Sequence, residues 1–317
     1  MIEIKELTKV YRDTTAVDAV NLEIKEGEVF AFLGPNGAGK TTVILMLSTL
    51  LEPTSGTGIV NGHDVLKEPH LVKRDVGILF QDTSLDDRLT GYENLEIQAV
   101  LYDVPKNKRN VRVDEMLDFV GLAEWARVPV ERYSGGMRRR LEIARCLMHR
   151  PKVLLLDEPT LGLDPNAREV IWRHIKGLRD MTIVITTNYI EEAEMLSDRI
   201  AIIDSGRVVA LGSPEELKSS LKMDLGHITT KAPEKLKSAL AALPYVGNIK
   251  IDGSKIVFTI KEGKRKDLLD TMASYDLDSI EVRRPSLSDV FLQHTGKSID
   301  VPMERPARRR GLGRRRR

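Results

Sequence analysis

The feature that most constrains this chain is eight residues long: Gly34-Pro35-Asn36-Gly37-Ala38-Gly39-Lys40-Thr41. It follows a short apolar run, Val29-Phe30-Ala31-Phe32-Leu33, and opens a segment of helical patterning from Lys40 to about Leu51. Glycines 34 and 39 ahead of Lys40-Thr41 match the spacing of a phosphate-binding loop, and strand before, helix after is the context such a loop requires. Glycine lets the backbone wrap a phosphate with several N–H groups turned inward. The helix N-terminus adds partial positive charge. Lys40 is expected to reach the β- and γ-phosphates of a nucleotide, and the Thr41 hydroxyl to ligate Mg²⁺. Thr42 is placed with the same loop, so the expected ATP-binding run is 34–42.

A loop of this kind sits in an alternating α/β fold, and the rest of the chain alternates accordingly. Val153-Leu154-Leu155-Leu156 and Ile183-Val184-Ile185 read as buried strands separated by a helix near 166–178. That order argues a mainly parallel sheet covered by helices. Ile2, Ile4 and Leu7 alternate with polar or charged residues as in a half-exposed strand, with 17–24 as its partner, which adds an antiparallel β layer. Residues 64–130 are charge-rich and helical in pattern, and a further helix from Met137 sets Met137, Leu141, Ala144 and Met148 on one face. Residues 200–203 and 207–210 read as a hairpin. Beyond Met223 the order becomes strand (227–231), helix (234–243), strand (246–251), strand (255–260), helix (264–275), strand (278–283), the split βαβ, ferredoxin-like order, then a helix near 286–294. The expected organisation is a nucleotide-binding α/β unit over 1–222 with a helical subdomain at about 85–150, a small α+β unit over 223–299, and an arginine-rich, disordered tail over 300–317.

Bulk properties remove several classes. With 317 residues and 41% hydrophobic content the chain can bury a sizeable core. The net charge of +2 conceals a tail effect, because residues 305–317 hold eight arginines and no acid. Without those eight, 41 basic residues face 47 acidic ones, so the body is acidic and gives no reason to expect nucleic acid as a partner. The single cysteine, Cys146, excludes an intrachain disulfide and reads as a small buried hydrophobe. No run approaches the roughly 18 apolar residues of a membrane span, and the first residues lack a signal-peptide pattern. A cytoplasmic location is the expectation, with any membrane role peripheral.

Two further motifs carry chemistry. Asp157-Glu158 ends the apolar run 153–156, and carboxylates leaving a buried strand need a cation or hydrogen-bond donors to meet them. In a phosphate-loop plan Asp157 meets Mg²⁺ through water, and Glu158 is placed to polarise an attacking water as general base. Tyr133-Ser134-Gly135-Gly136-Met137 sets a hydroxyl and two glycines just before a helix, a second anion site for a chain with one nucleotide loop.

In this order and spacing the three motifs resemble those of ATP-binding cassette ATPases. The resemblance implies that two cassettes pair head to tail, with Ser134, Gly135 and Gly136 of each closing on the ATP held by the other. It places Tyr11 at the adenine-stacking aromatic, although an ordinary strand-end tyrosine fits too. It places Gln81 at the glutamine that touches Mg²⁺ and the attacking water. Asp164, in Leu161-Gly162-Leu163-Asp164-Pro165, falls on the loop that crosses the dimer interface, and also reads as a helix cap before Pro165. Asn188 stands where the family carries a histidine; its amide donates a hydrogen bond but never becomes cationic, which puts efficient hydrolysis in doubt. The run 285–296, with Tyr133 in place of the commoner leucine, is similar to ATPase subunits of daunorubicin-resistance-type exporters.

The resemblance implies an ATP- and Mg²⁺-dependent ATPase, peripheral on the inner face of the cell membrane. It would power export of drug or lipid-like substrates through separate transmembrane permease chains. A second copy is the expected partner, and the tail could contact anionic lipid. Three alternatives stand beside it. A soluble cassette ATPase acting on nucleic acid or ribosomes finds support only in the basic tail. A weakly hydrolysing nucleotide switch finds it in Asn188. A P-loop kinase leaves Ser134-Gly135-Gly136 without a use.

Overall fold

The computed structural model describes residues 1–178 and 181–296; the expected disordered tail lies outside the described residues. The chain opens with an antiparallel pair, β1 (Ile2–Tyr11) and β2 (Thr14–Ile24), then β3 (Val29–Leu33) runs through the glycine loop into α1 (Lys40–Leu47). Strands β4 (Ser55–Val60) and β5 (His63–Asp64) extend the first pair into a sheet of order β2-β1-β4-β5. After α2 (Pro69–Asp75) comes β6 (Val76–Leu79), then the helical subdomain with α3 (Gly91–Leu101), α4 (Lys106–Phe119) and α5 (Gly135–Cys146). The chain returns through β7 (Val153–Asp157), α6 (Pro165–Gly177), β8 (Thr182–Thr187), α7 (Ile190–Leu196), the hairpin β9 (Arg199–Asp204) and β10 (Arg207–Gly212), and α8 (Pro214–Ser220). The central sheet has the order β10-β9-β3-β8-β7-β6 and is parallel apart from β10.

Because both faces of this sheet are covered, its strands are apolar on both sides. Phe30 and Phe32 of β3 pack toward α1 and the antiparallel layer, while Ala31 and Leu33 point the other way, toward α7 and α8. On β7, Val153 and Leu155 share the first core, and Leu154 and Leu156 join the helical subdomain. The glycine loop therefore leaves a strand anchored from two sides. Cys146 is buried, its thiol donating to the Ile78 carbonyl at 2.8 Å and pushed up to about 12 by burial, as expected of a packing residue. Three strands lie where sequence patterning gave none. Ser55–Val60 carries two glycines, and 63–64 and 76–79 are too short for a period to register. Helix α1 also stops short of the expected Leu51, because Thr49 turns left-handed at φ 64°.

Residues beyond α8 form a second layer: β11 (Met223–Thr229), α9 (Pro233–Ala241), β12 (Val246–Asp252), β13 (Lys255–Lys261), α10 (Arg265–Met272) and β14 (Ser279–Arg283). Its sheet is antiparallel with order β12-β13-β11-β14, so β13 lies between the strands joined by α9, and β11 between those joined by α10. That is a split βαβ arrangement. Packing cuts across the expected unit 223–299, however. The last helix, α11 (Leu287–Thr295), buries Leu287, Val290 and Phe291 against Leu33, Ile200, Ile202 and Leu217 of the cassette. Burying three such side chains contributes roughly 1.5–3 kcal/mol each, enough to order a short helix that is marginal alone. Arg283 at the end of β14 grips Asp289 of α11 through both nitrogens, at 2.6 and 3.0 Å. Burial alone would raise the Asp289 carboxyl; Arg283 and Ser286 outweigh it and hold it down at about 2.

Candidate nucleotide site

The glycine loop is shaped by backbone contacts that a side chain would break. A Cβ on Gly34 would lie 2.3 Å from the Ile203 carbonyl, and one on Gly39, at φ 102°, 2.2 Å from the Ala16 carbonyl. Gly39 is also the N-cap of α1 and offers no side chain to the first N–H groups of that helix, which leaves them for an anion. Asn36, Gly37, Gly39, Lys40, Thr41, Thr42, Gln81 and Glu158 line one open cleft of about 520 Å³, with Ala16 and Leu161 at its sides. Gly34, Pro35 and Ala38 form the floor of the loop rather than that lining: the Ala38 N–H donates to the Pro35 carbonyl at 3.2 Å, and Gly34 is buried.

Lys40 is 4% exposed, donates to the Gly34 and Pro35 carbonyls at 2.9 and 3.0 Å, and stands 3.7 Å from the Glu158 carboxylate. Burial lowers its pKa, against the opposing pull of Glu158 and Asp157. Burial likewise raises the Glu158 carboxyl, against Lys40. Each charge is therefore only partly compensated, an electrostatic state suited to receiving a polyanion and its counter-cation. Glu158 owes its place to a left-handed turn, φ 47°, directly after β7, with its N–H held by the Thr186 carbonyl and hydroxyl at 3.0 and 3.1 Å. Asp157 Oδ1 accepts from the Thr41 hydroxyl at 3.0 Å and from the Thr186 hydroxyl.

These groups fit magnesium bound with nucleotide. Among the described residues no cluster of three or more His, Cys, Asp or Glu could hold a metal unaided. Mg²⁺ on a nucleotide needs none, because phosphates and waters complete its shell beside one or two protein oxygens. Thr41 and Gln81 line the cleft, and Asp157, 2% exposed, stands behind Thr41; these are the residues that would hold the ion. Asn188 reaches the same loop from the end of β8, its amide donating to Asn36 Oδ1 at 3.3 Å while its own oxygen is buried without a partner.

The remaining expected residues lie elsewhere. Tyr11 is 45% exposed at the tip of the β1–β2 hairpin, near Lys9 and outside the cleft lining. Ser134 caps α5 by accepting the Met137 N–H at 3.2 Å, and Asp164 caps α6 by accepting the Ala167 N–H at 3.0 Å. Ser134, Gly135 and Asp164 are exposed, Gly136 partly so, and a Cβ on Gly135 or Gly136 would meet Leu163 or Ala167. None of the four lines the cleft. Sequence reasoning missed Thr186 and Arg139. Thr186 sits opposite Asp157 in the β7–β8 register, a pairing that residue types alone do not reveal. Arg139 lies off the apolar face of its helix and is nevertheless buried, because Glu142 pairs with it at 3.0 Å.

Comparison with known proteins agrees with this geometry. Residues 17–161 match the ABC transporter family, and 212–295 match the C-terminal domain of DrrA1-3-like ATP-binding proteins. The daunorubicin resistance ATP-binding protein DrrA3 of Streptomyces coeruleorubidus is 40% identical over 91% of this chain and 93% of its own length. The daunorubicin/doxorubicin resistance ATP-binding protein DrrA of Streptomyces peucetius is 40% identical over 94% and 93%. Among solved structures, a dimeric post-hydrolysis state of the ATP-binding cassette MJ0796 bound to ADP and Pi superposes with a TM-score of 0.62 at 30% identity, covering 67% of this chain and 98% of that one. A glycine loop facing Asp157 and Glu158, and relatives matched over nearly their whole length, lead to one conclusion: the chain belongs to the ATP-binding ATPase subunits of ABC transporters, in the group of the daunorubicin-resistance proteins.

Proposed function

We propose that this subunit works as a head-to-tail pair of identical chains, each ATP lying between the glycine loop of one copy and Ser134, Gly135, Gly136 and Asp164 of the other. The observation that carries the reading is the separation just described: one half of the anion-binding groups lines the cleft, and the other half is exposed outside it. In this reading the loop 34–42 cradles the phosphates, Lys40 neutralises them, Tyr11 stacks on the base, and Thr41, Gln81 and Asp157 (through water) hold Mg²⁺. Bound Mg²⁺ supplies charge neutralisation at the phosphate oxygens. Glu158 takes the proton of the attacking water, Gln81 orients it, and Asn188 donates to the γ-phosphate.

Closure and reopening of the pair drive two separate membrane chains that export drug or lipid-like molecules. Among the described residues no helix is long and apolar enough to cross a membrane; in this reading the pathway lies in those partners and the subunit sits on the cytoplasmic face. Co-expression of the tagged full-length chain with a candidate transmembrane permease chain tests this. The chain is expected in the membrane fraction only when that partner is present. Recovery in the soluble fraction with ribosomes or nucleic acid under both conditions would instead favour the soluble-cassette alternative.

The eight arginines in 305–317 would tether the subunit to anionic lipid, each worth roughly 1 kcal/mol near the surface. In flotation with anionic and neutral liposomes, the full chain is expected to float with anionic vesicles and a chain ending at Ser298 to stay behind. Equal behaviour of the two removes the lipid role.

A further inference from the structure

Along α5 runs a stripe of charged side chains that none of the recognised motifs uses. Arg139 is 7% exposed, and its guanidinium donates to four main-chain carbonyls: Phe80 at 2.6 Å, Asp157 at 3.0 Å, Glu158 at 2.8 Å and Pro159 at 2.7 Å. It also pairs with Glu142, 3% exposed, whose other oxygen accepts the Ser84 N–H at 3.1 Å. One turn further, Arg145 donates to the Ser84 carbonyl at 2.7 Å and to its hydroxyl. Residues 139, 142 and 145 lie on one face of the helix. Together they hold both ends of the segment 80–84, which carries Gln81, and the carbonyls on either side of the Glu158 Cα.

This clasp stands where regular structure stops. Glu158 has left the strand at a positive φ, so the carbonyls of 157–159 need donors from outside the sheet. A guanidinium with five N–H groups in a rigid fork can serve several at once; an ammonium on a flexible stem cannot. The same helix begins at Ser134-Gly135-Gly136. Whatever shifts the N-terminus of α5 therefore pulls on Gln81 and Glu158 through a buried, fully hydrogen-bonded pair.

We infer that Arg139 is the positioning residue that sets Glu158 and Gln81, and that α5 is the bar through which the nucleotide of one site adjusts the hydrolytic groups of the other. The second half rests on the proposed sandwich; the first rests on the clasp alone. Arg139 is not among the residues lining the cleft, and its guanidinium is taken up by main-chain carbonyls and Glu142, so it acts by where it holds the backbone.

The test uses full-length protein: wild type, Arg139→Lys, Arg145→Ala, and each substitution again in a Glu158→Gln background. Equilibrium MgATP binding, single-turnover hydrolysis with enzyme in excess, and thermal unfolding are measured for each. Arg139→Lys is expected to slow turnover roughly tenfold with MgATP affinity within about twofold of wild type, the pattern of an interaction felt in the transition state. In the Glu158→Gln background the further loss should shrink to about twofold or less, because no carboxylate remains to be placed. An equal proportional loss in both backgrounds, or rate and affinity falling together, would show a packing residue only and overturn the inference. Should Arg139→Lys fail to fold, the half-buried Arg145→Ala decides: a several-fold slower turnover at unchanged affinity supports the clasp, and an unchanged rate overturns it. A wild type that hydrolyses ATP without pairing would remove the sandwich yet leave the Arg139–Glu158 cycle readable, so the two readings fail separately.

Discussion

Replacing Glu158 by glutamine is expected to keep MgATP affinity within a few-fold of wild type and to slow hydrolysis by about 10²–10⁴-fold, the usual cost of losing a positioned general base. The structure supplies the reason. Glu158 lines the cleft, its backbone locked by Thr186 and Arg139, and burial raises its pKa against the pull of Lys40. A carboxylate whose proton affinity is raised takes a proton from water more readily than an ordinary surface glutamate. Glutamine preserves shape and hydrogen bonding but removes that capacity. The pH profile gives a second readout: the wild-type rate should climb with pH as Glu158 ionises, and the glutamine variant should lose that limb. With hydrolysis blocked, ATP stays between two copies and the closed pair accumulates, since a ligand that favours one state shifts the population toward it. Size exclusion with MgATP should show the dimer for Glu158→Gln and a monomer for Lys40→Ala, which loses phosphate binding itself. A Glu158→Gln chain that stays monomeric at high protein and ATP concentrations contradicts the head-to-tail site.

The second large effect is expected in the opposite direction. Asn188→His should raise turnover by roughly 10–10²-fold with little change in MgATP affinity, because donors aimed at developing charge act on the transition state and removing one commonly costs 10²–10³-fold. Asn188 already points its amide N–H at the glycine loop through Asn36, at a long 3.3 Å, and its own oxygen is buried with no partner. It holds the position sterically while offering one neutral donor. Histidine there donates and can carry charge. Steady-state rates of wild type, Asn188→His and Asn188→Ala separate the possibilities. A histidine variant no faster than wild type, beside an alanine variant far slower, would establish Asn188 as a full replacement and end the slow-ATPase reading.

The sequence announced the catalytic elements more clearly than the scaffold that holds them. Val29–Leu33, Val153–Asp157 and Thr182–Thr187 were readable because both of their faces are buried, so no polar residue interrupts them. The glycine loop and Asp157-Glu158 were readable because their chemistry tolerates few substitutes. Strands β4 to β6 were not, being short or glycine-bearing and ordered by their neighbours rather than by their own pattern. Nor was the Thr186–Asp157 contact, which depends on strand register. Arg139 was the hardest case: its residue type says surface, and its burial rests on Glu142 together with four carbonyls that converge on its guanidinium. Tyr11 was singled out by its position in the sequence, and it sits outside the cleft lining.

Helix α11 completes a core that residues 31–217 began, and the whole split βαβ layer is threaded between. In synthesis from the N-terminus, 287–295 emerges last, so the core around Ile200, Ile202 and Leu217 lacks Leu287, Val290 and Phe291 until then. The layer from β11 to β14 is then fastened to the cassette at both ends, by the α8–β11 turn and by Arg283 with α11. A chain cut after α8 would contain every nucleotide-binding motif and still carry an open apolar seam. For this protein, the smallest stretch that holds the motifs is shorter than the smallest stretch that closes the apolar core around β3 and β9.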